Sequence, residues 1–132
     1  MARTMGATLP LMATSAATNI GTIALADQLN HLRARVPVSE EDVARATGAE
    51  LGTVRQWIER KAAPTGVEAN RLAELVAVIE EMTLNIHPDG IPEWLSQDVP
   101  ALEGETPADA IAAGGYQRVM DIALWLSAGG FT

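Results

Sequence analysis

Apolar residues recur along this chain with helical spacing. Leu25, Leu29, Leu32 and Val36 stand at i, i+4, i+7 and i+11, one stripe of a helix expected from about Thr22 to Arg35. Pro37 ends it, because a proline ring and its missing N–H do not fit a helix interior. Ser39, with Asp42 three residues on, has the form of a capping box and opens a short helix that turns at Gly48. Another helix is expected from about Leu51 to Arg60, with Pro64 and Gly66 as punctuation after it. The longest helix is expected from about Val67 to Thr83. Its apolar face is Leu72, Leu75, Val76, Ile79 and Met82, and Glu68, Arg71, Glu74 and Glu81 fall outside that face.

Pro88, Gly90 and Pro92 mark a boundary between two halves. Beyond it Trp94 and Leu95 anchor a short turn or helix. Thr106-Pro107 combines a threonine N-cap with a proline in the first turn, and the helix it starts ends at Gly114-Gly115. A last helix is expected from about Tyr116 to Ala128, stopped by Gly129-Gly130. No hairpin signal and no internal repeat interrupts this pattern. The expected fold is all-α, with a helix-turn-helix domain over residues 21–87 packed with a small helical domain over residues 88–132.

Composition narrows the class. With 132 residues the chain can form one domain or two small helical units, and an apolar content of 48% supports a real core. The absence of cysteine removes disulfides and thiolate metal sites. His31 and His87 lack the spacing of a ligand pair, so neither a metal nor a cofactor is expected. In the first twenty residues, Arg3 precedes an apolar run that Pro10, Thr14, Ser15 and Thr18 interrupt before it reaches the length of a signal-peptide core. No stretch approaches the length of a membrane span. Residues 1–20 are read as a flexible tail on a cytoplasmic protein.

The net charge of −8 is unevenly distributed: residues 83–132 set a single cation, Arg118, against seven carboxylates. Such a chain repels nucleic-acid phosphates at long range, so tight DNA binding by an isolated monomer is not expected. An acidic C-terminal half suits a partner protein with a basic surface, and it serves solubility equally well.

A helix-turn-helix frame starting at Glu40 places Ala44 where the two helices touch and Gly48 at the sharp turn, where positive φ is easiest for glycine. Val43, Ala49, Val54 and Trp57 then fill the buried positions. On the second helix Thr53, Arg55 and Gln56 face outward. Arginine and glutamine can bond guanine and adenine edges, and Arg60 and Lys61 can reach phosphates. Glu50 opposes phosphates, and Gly52 lowers helix propensity by about 1 kcal/mol relative to alanine. Two readings stand: operator DNA bound by a dimer or larger complex, or a helix-turn-helix kept for packing or homodimerisation. The segment PVSEEDVARATGAELGTVRQWIERKAAP resembles the lambda-repressor or Xre class of DNA-binding domains.

In the last helix Val119, Met120, Ile122, Ala123, Leu124, Trp125 and Leu126 are apolar over more than one face. A surface helix needs one stripe, so a second face points to another chain or to a central place in its own domain. Tyr116 and Trp125 are residue types that anchor interfaces. Arg118 can pair with a partner carboxylate or with Asp121 one turn on. The short tail Gly129, Gly130, Phe131 and Thr132 can enter a pocket on a partner or fray.

The stretch from Pro92 to Thr132 resembles the toxin-binding domain of Xre/MbcA/ParS-type antitoxins. The positions that carry the likeness are Trp94-Leu95, Pro100, Leu102, Gly104, Thr106-Pro107, Asp109, Ile111, Gly114, Val119, Leu126, Gly129 and Phe131. One departure is Ala101 where the family has asparagine after the loop proline. The resemblance covers about residues 22–132. It implies a non-enzymatic antitoxin that sits on a RES-domain, NAD-degrading toxin and occludes its cofactor cleft with the C-terminal region, and that autoregulates its operon. Carried over, the blocking residues are Gly129, Gly130, Phe131 and Thr132, backed by Trp125, with Tyr116 and Arg118 nearby.

Catalysis has little support from the residues. No carboxylate lies in a phosphate loop, a nucleophile elbow or a metal spacing, and Glu40-Glu41 and Glu80-Glu81 are adjacent pairs that diverge on a helix. The main competing reading is a stand-alone helix-turn-helix repressor whose C-terminal domain dimerises or senses a ligand, and a second is a protein-interaction adaptor whose helix-turn-helix no longer reads DNA.

Overall fold

The computed structural model describes residues 25–128. The expected tail over residues 1–20 and the residues Gly129, Gly130, Phe131 and Thr132 lie outside the described residues. Within them the chain is all-helical, as the periodicity predicts. Residues 25–35 are helical (α1), followed by α2 (Glu40–Thr47), α3 (Leu51–Ile58), α4 (Gly66–Met82), α5 (Gly90–Leu95), a 3₁₀ turn at Pro100–Leu102, α6 (Pro107–Ala112) and α7 (Tyr116–Ser127).

The local signals act as expected. The Ser39 hydroxyl accepts the Asp42 amide at 3.0 Å, and Asp42 Oδ2 accepts the Ser39 amide at 3.5 Å, closing the capping box on α2. Gly48 turns the chain with φ +80°, and its N–H bonds the Ala44 carbonyl. The Thr106 hydroxyl accepts the Asp109 amide at 3.1 Å at the start of α6, where Pro107 fills a position that needs no N–H. Gly90 and Pro92, expected as boundary punctuation, form the first turn of α5 instead, a place where proline is tolerated.

One core holds these helices together. Leu29, Leu32 and Val36 of the first stripe are fully buried, Val43, Val54 and Trp57 are buried from α2 and α3, and Leu72, Leu75, Ile79 and Met82 from α4. Ile91, Leu95, Leu102, Ile111, Val119 and Ala123 complete the same cluster from beyond Pro88. α4 runs through its centre, packed on α2, α6 and α7, and α2 lies against α6. That crowding buries Val78 as well, outside the expected stripe, and leaves Arg71 and Glu74 half-buried and paired at 3.2 Å. A helix covered on two sides needs a wider apolar face than a surface helix does.

Candidate functional site

Two surfaces carry the residues singled out from the sequence. On the first, α2 and α3 meet across the turn at Gly48. Thr47 Oγ1 donates to the Val43 carbonyl at 2.7 Å and accepts the Ala49 amide at 3.2 Å, so the turn is bonded from inside. Thr53 is half-buried on α3, while Arg55 and Gln56 are exposed. Arg60 and Lys61 lie beyond the helix end at Ile58, and Arg60 adopts φ +61°.

All three cations of this surface already have carboxylate neighbours. Arg55 Nε donates to Glu40 Oε1 at 2.9 Å, Arg60 Nε to Asp27 Oδ1 at 2.8 Å, and Lys61 Nζ lies 3.2 Å from Glu59 Oε1. The side chains are largely exposed, so each pair is worth at most about 1 kcal/mol and opens readily. Arg55 is turned toward α2 and Arg60 toward α1.

The second surface is built by α5, the 3₁₀ turn and α7. The 3₁₀ turn is held by its own backbone: the Val99 amide donates to the Glu105 carbonyl at 3.0 Å and the Gly104 amide to the Val99 carbonyl at 3.2 Å. Arg118 Nη2 reaches across from α7 to the Ala101 carbonyl at 3.2 Å. Of the two partners expected for Arg118, a partner carboxylate or Asp121, the second is not the one it bonds here. Asp121 Oδ1 instead accepts from Gln117 Nε2 at 3.1 Å, the i+4 neighbour on its own helix.

α7 buries Val119 and Ala123, half-buries Tyr116, Met120, Ile122 and Leu126, and exposes Leu124 and Trp125 at 46% and 57%. The second apolar face read from the sequence is thus split. Its inner part joins the core, and its outer part stands in solvent at Trp125. The end of α7 is fixed to the end of α4, where Ser127 Oγ donates to the Glu81 carbonyl at 3.1 Å.

The structure adds a feature that sequence reading missed. Trp94, Val99, Pro100 and Ala101 on one side, and Asp121, Ile122, Trp125 and Leu126 on the other, enclose an open groove of about 590 Å³. Its only ionisable lining residue is Asp121. The available signal was the pair Trp94 and Trp125, large rings in a chain with few aromatics, but nothing in local spacing brings them to one groove. Among the described residues no group of three or more metal-ligating side chains is gathered, and no helix is long and apolar enough to cross a membrane.

No family model matches the chain. Curated relatives do. The mycobacterial cidal antitoxin MbcA of Mycobacterium tuberculosis and that of Mycobacterium bovis are each 27% identical to it over 101 residues, spanning 76% of this chain and 89% of the relative. Among solved structures, a chain in the crystal structure of the M. tuberculosis MbcT–MbcA toxin–antitoxin complex superposes with a TM-score of 0.71 and 26% identity. That match covers 82% of this chain and 97% of the other.

Proposed function

From the homology of this chain to the MbcA antitoxins, we propose that it is the antitoxin of a toxin–antitoxin pair and that it neutralises its toxin by direct binding. The observation that carries this is a match in sequence and in fold, over most of both chains, to proteins of that name and to a structure of such a complex. The exposed indole of Trp125 supports it, since a partly apolar helix face is the part of a small domain that another protein covers.

The finer mechanism follows the family resemblance. The toxin is a RES-domain enzyme that degrades NAD, and the antitoxin blocks its cofactor cleft. Gly129, Gly130, Phe131 and Thr132, which follow Ala128 in the sequence, supply the blocking segment; Tyr116, Arg118 and Trp125 bear on the toxin beside it. In the assembled complex, with the antitoxin homodimerised, Thr53, Arg55, Gln56, Arg60 and Lys61 contact operator DNA and repress the operon. Summing several weak surfaces in one assembly offsets the unfavourable net charge of a single chain.

Co-expression with the adjacent open reading frame, expected to encode a RES-domain toxin, tests this. The toxin alone is expected to arrest growth and deplete cellular NAD, and the pair to restore both and to co-purify. Growth arrest unrelieved by this chain, with no stable complex, overturns the assignment.

A further inference from the structure

We propose that the groove between α5, the 3₁₀ turn and α7 receives an apolar side chain of the partner toxin held between arginines or lysines. This rests on the antitoxin reading and names the surface and the chemistry that meet. The groove is lined by Trp94, Val99, Pro100, Ile122, Trp125 and Leu126, and its volume of about 590 Å³ lies in the ordinary range of ligand and anchor pockets. Trp125 stands at its edge 57% exposed, in the manner of an aromatic anchor awaiting a partner surface.

Charge decides among occupants. Asp121 lines the groove, and exposed carboxylates adjoin its lining residues along the chain: Glu93 beside Trp94, Asp98 beside Val99. Arg118, bonded to the Ala101 carbonyl, is the one cation among residues 83–132 and offsets a single carboxylate of their seven, so this half of the chain stays acidic. An apolar knob flanked by basic residues satisfies both the groove and its rim, and gains in association rate from the opposite field. A second copy of this chain fits badly. A two-fold interface would set the same acidic rim against itself, where like charges repel.

The test measures binding of the full chain to the toxin of the proposed pair, by surface-immobilised kinetics, with circular dichroism confirming the helical fold of each variant. Ala101→Phe, at an exposed position, fills the groove and is expected to weaken binding by about tenfold or more. Asp121→Lys is expected to slow association by about tenfold at low salt, with the difference closing at high salt. Val67→Gln, at the distant start of α4, is expected to bind like the unaltered chain. Folded Ala101→Phe and Asp121→Lys variants that bind undiminished overturn the groove proposal and leave the antitoxin reading standing. An unaltered chain that binds no toxin overturns both. A toxin-free dimer that Ala101→Phe dissociates gives the groove to a second copy and overturns the proposal as well. So does toxin binding that rises when residues 1–20 are deleted, which gives it to the chain's own N-terminal segment.

Discussion

Asn85 Nδ2 donates to the Ser127 carbonyl at 2.7 Å, tying the last helical residue to the turn after α4. Ser127 stands two positions before Gly129, the first residue of the proposed blocking segment. Asn85→Ala is expected to cost about 1 kcal/mol or less, because the bond is exposed to water. Its larger effect is on neutralisation: growth rescue by the variant falls while its melting temperature barely moves.

Deleting Gly129–Thr132 separates binding from blocking. The truncated chain keeps α7, Trp125 and the groove, so it is expected to keep its helical content and its complex with the toxin. It is expected to lose inhibition of NAD consumption by the purified toxin. Full inhibition by the truncated chain would place the block elsewhere on the surface.

Arg55 poses a balance of magnitudes. Breaking its exposed pair with Glu40 costs at most about 1 kcal/mol, whereas one good bidentate base contact is worth about 1–3 kcal/mol. Arg55→Ala is therefore expected to weaken operator binding by the toxin–antitoxin complex by about tenfold in a gel-shift titration. Unchanged binding would mean that α3 serves packing alone.

The helices were legible because their signals are local. Ser39 with Asp42, Gly48, and Thr106 with Pro107 each act within one turn of chain, and each takes the conformation its residue type favours. The stripe of Leu29, Leu32 and Val36 is buried for the same reason. What escaped depends on which helix lies against which. Val78 is buried because α4 is covered from several sides, and Arg118 turns to Ala101 because the 3₁₀ turn packs beside α7. The groove needs Trp94 and Trp125, thirty-one positions apart in the chain, at one place. No periodicity within a helix encodes that.

Two glycines are expected to respond oppositely to alanine. A Cβ on Gly115 would lie 3.0 Å from the Ala110 carbonyl oxygen, so Gly115→Ala requires the backbone there to give by a few tenths of an ångström and is expected to cost about 1–3 kcal/mol. Gly52 lies inside α3 with nothing within 4 Å of an added Cβ. Gly52→Ala is expected to stabilise the chain by up to about 1 kcal/mol. Thermal denaturation of the two variants gives melting temperatures that move in opposite directions.

The packing of α2 on α6, and of α4 on α7, has a consequence for the lifetime of this protein in the cell. Among the described residues neither half has a core of its own for a protease to open separately, since Leu72, Ile111 and Val119 belong to one cluster. α3 and α7 are then lost together, at one rate set by global opening. On the proposed function, clearance of this protein would release the toxin and the promoter in a single event.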